Sequence, residues 1–309
     1  MSAAARLLAL TKLVARRSSI IERPLVRRVG VLLAAVVFFG GLSLALAARP
    51  TLFRDVDLSV WALVLACVPL TVIINSCQFW LTASLLHVTM PPARAVLVTL
   101  LSTAANMLPL PGGSLIRIAA LKSTDNTYGQ GTAATILAAI SWLGVTLALA
   151  GGALLALDLG LLGAGALAGG ILALAVATFG LRAGHEATVG WMLALAVTQS
   201  VMVGIGTLRL WLCFRALGEP ASALEAVVLT LAAVVAAVVG VAPAGLGVAE
   251  ATAAGIAVAI GISASVAFVV AALDRISGLV VVGPLAMICH ACERRLTCRG
   301  ARPGRGTSE

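Results

Sequence analysis

The sequence predicts an all-α polytopic membrane protein, with about six full transmembrane helices and two re-entrant hairpins of broken helices. Three observations support this fold class. Hydrophobic residues make up 61% of the 309-residue chain and charged residues only 11%. Several apolar runs are long enough to cross about 30 Å of hydrocarbon as helices. Two further apolar runs are interrupted by proline and glycine. This composition excludes a water-soluble enzyme and a disordered chain.

Basic residues flank the apolar region and predict its orientation. The formal net charge is +9, with seven lysines and arginines before residue 30 and five arginines after residue 290. Because basic residues beside membrane segments mark the cytoplasmic side, we expect both termini to be cytoplasmic. The predicted organisation is a basic segment over 1–29, a transmembrane domain over 30–290 and a basic tail over 291–309. The basic residues form no folded face with stacking aromatics, so nucleic acid is not expected as a partner.

Continuous apolar runs predict the full spans in chain order, because a helix rises about 1.5 Å per residue and each run is long enough to cross. They cover residues 30–48, 59–86, 131–157, 159–181, 189–216 and 264–288. The first is longer than the apolar core of a signal peptide and is expected to remain as a span. Within 159–181, the spacing of Gly165 and Gly169 predicts a close-packing surface.

Two apolar stretches, 93–121 and 223–260, are predicted to enter the membrane and return on the same side. Leu108–Gly113 interrupts the first and Ala242–Gly247 the second, each with proline before glycine. This order ends one helix and lets another begin. A kinked pair of spans is the alternative explanation for a single break. Two matching breaks favour a polar cavity, because irregular backbone survives at membrane depth only where protein buries it or where it lines such a cavity.

The chain contains an internal repeat of span, hairpin and span, over about 59–157 and 189–288. Alignment of Trp80 with Trp211 also places Arg94 on Glu225. A slip of two residues at the break then places Arg117 on Glu250. The predicted path from a cytoplasmic N-terminus gives the two copies opposite orientations, as in many secondary transporters.

The arms that follow the two breaks are the candidate binding elements. They begin at Gly113-Ser114 and at Gly247-Val248, where unsatisfied N–H groups and the helix dipole favour an anion. Arg117 follows one turn later, and a guanidinium suits phosphate oxygens. Because a charge inside a span needs a partner, a cavity or water, Glu250 and Arg275 are also candidates.

The same charges have a structural interpretation. Arg117 could pair with Glu250 across the repeats, or Arg275 could pair with Glu250, as internal bridges. Asp274 and Arg275 are adjacent and lie about 100° apart on a helix, so at most one is expected to line a central cavity, and Arg275 is favoured. Arg209 is expected near a membrane end. The polar residues of the spans are expected to join helix to helix more often than to bind a ligand; they are Asn75, Gln78, Asn106 and Gln199.

No metal or other cofactor is predicted. Cys289, His290 and Cys292 follow a span but lack the second pair of ligands that a zinc module needs. Structural or lipidated thiols beside the membrane explain them better.

The two breaks resemble a known family. The segments Leu108–Arg117 and Pro243–Glu250, followed by Asp274-Arg275, are similar to the lysylphosphatidylglycerol synthase transmembrane-region or flippase-like family, over roughly residues 30–290. The resemblance implies a multi-pass protein of a bacterial-type inner membrane that moves an anionic, aminoacylated or polyprenyl-linked lipid between leaflets. Residues that match the two motifs are Gly112, Gly113, Arg117, Gly245, Gly247, Glu250 and Arg275.

The sequence also departs from the family. Ser141-Trp142 stands where the first repeat commonly has a Glu-Arg pair, and Ala249 stands where a basic residue is usual. The family's bifunctional members continue into a soluble aminoacyl-transferase domain, and the present sequence predicts no such activity.

The leading functional hypothesis is translocation of a lipid whose anionic headgroup is held at the two breaks. One alternative is a non-transporting membrane partner of a lipid or glycan biosynthesis complex. A lipid-phosphate transferase or phosphatase is less favoured, because the spans contain no cluster of carboxylates for a divalent metal. An enzyme is therefore not expected.

Overall fold

The computed structural model describes residues 24–54, 56–106, 112–122, 127–185, 188–239 and 247–300. Every regular element in these ranges is a helix, which confirms the predicted all-α class. The helices are α1 Pro24–Ala48, α2 Leu58–Leu85, α3 Pro92–Ala105, α4 Gly112–Leu121, α5 Tyr128–Ala156, α6 Gly160–His185, α7 Val189–Ala216, α8 Ala223–Leu229, α9 Leu231–Val239, α10 Val248–Ala259 and α11 Ala264–Gly300.

Five of these helices, α2, α5, α6, α7 and α11, are long and apolar enough to cross a membrane. They coincide with five of the six predicted spans, and the chain is a multi-pass membrane protein. The sixth predicted span, 30–48, falls in α1, whose described apolar part is the shorter stretch Leu32–Ala48.

The arms of both predicted hairpins are helical. The first consists of α3 and α4, and the second of α8, α9 and α10. The proline-glycine breaks themselves fall in 107–111 and 240–246, outside the described residues. The sequence predicts a single arm before the second break, but the structure divides it at Thr230. The Thr230 hydroxyl donates to the Val227 carbonyl at 2.6 Å, a local side-chain bond that competes with regular helix.

Local geometry repeats in the register that the sequence predicts. When Trp80 is aligned with Trp211, the first and last residues of α2, Leu58 and Leu85, fall on the first and last residues of α7. After each helix, a backbone N–H donates to the carbonyl oxygen of the residue five positions earlier. Val88 donates to Ala83 at 2.9 Å, and Glu219 donates to Phe214 at 3.0 Å. The residues at positive φ, His87 at 54° and Gly218 at 69°, also correspond.

The indole bonds of two tryptophans repeat in the same way. Trp80 Nε1 donates to the Met90 carbonyl at 3.0 Å. Trp211 Nε1 donates to the Ala221 carbonyl at 3.1 Å. Each bond ties the end of a long helix to the start of the following hairpin. The two helix ends therefore share the turn and the indole bond at positions that the sequence alignment makes equivalent.

The equivalent helices α2 and α7 pack against each other and run antiparallel. The backbone N–H of Asp57, just before α2, donates to the Ala216 carbonyl at the end of α7, at 2.9 Å. At the opposite end, Trp191 Nε1 near the start of α7 donates to the Leu81 carbonyl of α2, at 2.9 Å. The two helices that the sequence alignment makes equivalent therefore point in opposite directions.

Glycines bring the backbones of helices α5 and α6 close together. A Cβ on Gly151 would lie 2.9 Å from the Gly163 carbonyl oxygen, and a Cβ on Gly144 would lie 3.0 Å from that of Gly170. The predicted packing surface is wrong in position, because a Cβ on Gly165 has nothing within 4 Å and one on Gly169 has only Leu147, at 3.9 Å. The two glycines of α6 that meet α5, Gly163 and Gly170, are seven residues apart. Seven residues are close to two helical turns, so both glycines lie on the same face of α6.

Candidate functional site

Two ion pairs join α11 to its neighbours. Asp274 Oδ1 lies 2.8 Å from Nη2 of Arg209 in α7. Arg275 Nε lies 3.3 Å from Oε1 of Glu250 in α10. The two residues of α11 point to different helices, as their adjacent positions require. Of the two structural alternatives from the sequence, the structure forms the Arg275–Glu250 bridge and not the Arg117–Glu250 bridge.

Glu250 also closes the start of α10. Its side chain is 0% exposed, and the Gly247 N–H donates to its Oε2 at 2.8 Å. Gly247 has φ +80°, and a Cβ there would lie 2.7 Å from the Ala34 carbonyl oxygen. Glycine is thus required by conformation and by the approach of α1. The end of α10 predicted to bind an anion is bonded to a carboxylate of the chain itself.

Arg209 lies inside the helix bundle, in contact with residues of α2 and α11. The residue is 9% exposed. Its Nη2 donates to the Asp274 carbonyl at 2.9 Å, and its Nη1 donates to Thr71 Oγ1 at 3.4 Å. The sequence signal for this burial is Asp274, an acidic residue in a span that needs a cation.

Arg117 has a different environment, with neutral partners. Its Nη2 donates to Asn75 Oδ1 at 2.9 Å, and its Nε donates to Ser102 Oγ at 3.2 Å. The guanidinium carbon lies 5.8 Å from the centre of the Phe79 ring. No carboxylate in the described ranges forms an ion pair with Arg117.

The start of α4 is closed by a neutral acceptor. The Gly113 N–H donates to Asn106 Oδ1 at 3.0 Å, and a Cβ on Gly113 would collide with that oxygen. Gly112 begins α4 and Ser114 is half-buried in its first turn. Gly245, the remaining predicted site residue, lies outside the described residues.

A cavity of about 200 Å³ lies between α2, α3, α7 and α11. Its polar lining is Thr71, Asn75, Thr103, Arg209 and Arg275. The rest of the lining is apolar or glycine: Val68, Val72, Gly278, Leu279 and Val282. Thr71 lies halfway along the 28-residue helix α2, which places the cavity about 20 Å from either helix end. Arg117 does not line this cavity, but it is hydrogen-bonded to the lining residue Asn75.

The residues that line the cavity include two arginines, each with an unused hydrogen-bond donor. Arg275 Nη1 and Arg209 Nε are buried and have no hydrogen-bond partner within the described part of the chain. The hydroxyl protons of Thr71 and Thr103 are already donated to the carbonyls of Cys67 and Thr99. The two ion pairs are neutral as units, so among the described residues Arg117 leaves this region with one uncompensated positive charge. Such a lining suits a ligand with several acceptor oxygens.

The described residues contain no group of three or more His, Cys, Asp or Glu side chains placed to hold a metal ion. Cys289 has a free thiol. The side chains of His290 and Cys292 lie outside the described ones, so the expectation for that cluster stays a prediction.

Residues 182–286 match the family model described as "Lysylphosphatidylglycerol synthase TM region". This match confirms the resemblance over the second repeat, including both ion pairs. The first hairpin with Arg117 lies outside the matched residues. Comparison with curated proteins and comparison with solved structures each found no significant match.

Proposed function

We propose that the protein moves lipids with an anionic headgroup between the leaflets of the cell's inner membrane. The headgroup occupies the cavity between α2, α3, α7 and α11, and the acyl or prenyl tails remain in the bilayer. The observation that carries this proposal is the excess positive charge of Arg117 beside a donor-lined cavity at mid-depth.

The energetic argument concerns the cost of a buried cation. An arginine at the centre of a bilayer costs at least about 2.5–3.5 kcal/mol on insertion scales. The hydrogen bonds that Arg117 donates to the neutral side chains of Asn75 and Ser102 offset part of that cost, but among the described residues they leave the charge uncompensated. A bound anion supplies the missing charge, and a cavity lined by protein spares the headgroup direct contact with hydrocarbon.

The transport step is assigned to the two repeats. The antiparallel packing of α2 and α7 supports copies that run in opposite directions. The basic residues at both ends of the chain support cytoplasmic termini. Rocking of one copy against the other opens the cavity alternately to each side.

The experiment uses vesicles containing the purified protein and phosphatidylglycerol labelled with a fluorophore on one acyl chain. A membrane-impermeant reductant bleaches only the outer leaflet, so transport increases the bleached fraction. We expect Arg117→Gln to slow the extra bleaching about tenfold or more, the change that a loss of about 1.4 kcal/mol produces. The matched control is Arg182→Gln, which removes an exposed arginine of α6. Equal rates for the two variants would contradict the proposal.

A non-transporting partner of a biosynthetic complex is the second candidate, and the asymmetry of the repeats favours it. At the equivalents of Arg209, Asp274 and Arg275, the first repeat has Gln78, Ser141 and Trp142. A protein that only holds an enzyme in the membrane can keep the ion pairs as internal bridges. This candidate predicts no lipid movement for any headgroup and retention of a biosynthetic enzyme on the purified protein. Neither candidate includes catalysis.

A further inference from the structure

We infer that the cavity selects a phosphate headgroup that carries no amine, so that an aminoacylated lipid is a poor ligand. This inference rests on the proposed function and narrows its substrate to phosphate esters such as phosphatidylglycerol or a polyprenyl phosphate.

The first argument is that both carboxylates near the cavity are already engaged. Glu250 is bound by the Gly247 N–H and by Arg275. Asp274 is paired with Arg209. Neither carboxylate lines the cavity. An ammonium group would therefore find no negative partner there without breaking an ion pair that the fold already contains.

The two breaks add no such partner. Their residues, 107–111 and 240–246, lie outside the described part of the chain and include no aspartate or glutamate. Whatever part of them approaches the cavity brings no carboxylate.

The second argument is electrostatic repulsion. Arg209 and Arg275 line the cavity, and Arg117 lies behind Asn75. An ammonium group in the cavity would sit beside two guanidinium groups whose carboxylate partners do not line it. A third guanidinium, that of Arg117, is bonded to the lining residue Asn75. Like charges placed together in a site of low dielectric are strongly disfavoured.

The third argument concerns hydrogen bonding. Arg275 Nη1 and Arg209 Nε are donors, and Asn75 Oδ1 already accepts from Arg117. The side-chain acceptors that remain in the lining, the second lone pair of Asn75 Oδ1 and those of the threonine hydroxyls, are all uncharged. A phosphate oxygen accepts from guanidinium groups in a short, charge-assisted bond, whereas an ammonium group has only protons to donate.

The test compares lipids that share one labelled acyl chain and differ only in headgroup. They are phosphatidylglycerol, phosphatidylethanolamine and lysyl-phosphatidylglycerol, each in vesicles with the wild-type protein. We expect phosphatidylglycerol to move about tenfold or more faster than the two lipids that carry an amine. Equal rates, or faster movement of an amine-bearing lipid, would overturn the inference while leaving lipid movement intact. Failure of all three lipids to move would instead count against the proposed function.

A binding measurement keeps the inference testable even without transport. The amount of each lipid retained by the purified protein in detergent should follow the same order, and equal retention would overturn the inference. Excess glycerol phosphate, which has no tails, distinguishes a lipid site from a site for free phosphate. Competition by this compound would assign the cavity to phosphate esters in general, whereas no competition assigns it to lipids; in either case the amine-bearing lipids must remain the weaker ligands.

Two variants of Asn75 distinguish the effect of charge in the cavity from an effect of the substitution on folding. Asn75→Asp places a carboxylate next to Arg117 with almost unchanged side-chain volume. We expect the ratio of phosphatidylglycerol to phosphatidylethanolamine movement to fall about tenfold. Asn75→Ser, which adds no charge, should keep the wild-type preference. The same ratio in both variants would show that charge in the cavity does not select the headgroup.

Discussion

Glu250 Oε1 lies 3.3 Å from Arg275 Nε, while the other oxygen of the same carboxylate accepts the N–H of Gly247 at the start of α10. One side chain therefore caps a helix that follows a break and also ties that helix to α11. The carboxylate is completely buried, so water does not replace a partner that is lost.

The first prediction concerns this bridge. We expect Glu250→Gln and Arg275→Gln each to lower the free energy of unfolding by about 3–5 kcal/mol, because each strands a buried charge. The double variant strands none and should lose clearly less than the sum of the two. Thermal unfolding in detergent measures all three. Strictly additive losses would show that the two side chains do not interact.

The second prediction concerns Arg117 as a cation without a countercharge. Arg117→Gln removes the cost of burying a charge, so we expect the unfolding temperature to stay unchanged or rise. Arg209→Gln is the matched comparison, because it strands Asp274, and it should lower the unfolding temperature. Equal destabilisation by the two variants would mean that Arg117 has an anionic partner within the chain.

The third prediction tests the packing of α5 on α6. Gly163→Leu forces a side chain against the Leu155 backbone nitrogen, which lies 2.7 Å from the point that a Cβ would occupy. We expect it to cost about 1–3 kcal/mol or more. Gly165→Leu, on an open face of the same helix, should be nearly neutral. Unfolding temperature and yield of folded protein distinguish the two, and an equal loss would refute the assigned contact face.

The fourth prediction concerns the turn after α7. Gly218 has φ +69° and nothing near its missing Cβ, so Gly218→Ala should destabilise by about 1 kcal/mol through backbone conformation alone. Gly204→Ala, inside α7 and equally free of neighbours, should stabilise by about 0.5–1 kcal/mol. Chemical denaturation compares the pair, and a shift of the same sign in both would contradict the conformational explanation.

The fifth prediction addresses orientation. Thr89 and Pro220 are exposed and occupy equivalent turns of the two repeats. In a background without the six native cysteines, Thr89→Cys and Pro220→Cys should react with an impermeant thiol reagent from opposite sides of the membrane. Gly113 and Gly247 are poorer positions for this test, because neither has room for a Cβ. Labelling of both from one side would contradict the opposed repeats.

The long helices could be predicted from the sequence because the length and composition of an apolar run are local properties. The start of α2 is one residue from its expected position, and α7 matches its predicted span at both ends. The arms of the hairpins were also predictable, because proline and glycine mark where a helix must end. Thr230 shows the limit, since its interruption depends on a single side-chain bond.

The partners of the charged residues could not be predicted, because pairing depends on which helices are neighbours. The sequence left the partner of Glu250 open between Arg117 and Arg275. It also did not assign Arg209 as the partner of Asp274, because that pairing requires α7 and α11 to be neighbours. The error with Gly165 has a similar origin, because the crossing of α5 and α6 decides which glycines meet.

If the protein moves lipids as proposed, the unequal distribution of charge between the repeats affects the balance between its inward-facing and outward-facing forms. Two identical copies in opposed orientation would give inward-facing and outward-facing forms of equal energy, by symmetry. In this chain the first copy has Arg117 bonded to Asn75, whereas the equivalent part of the second copy has Glu250 paired with Arg275. The two forms therefore differ in energy. Under the proposed function, we therefore expect the unliganded protein to favour one of these two forms, and reversing which copy carries the ion pairs should reverse that preference.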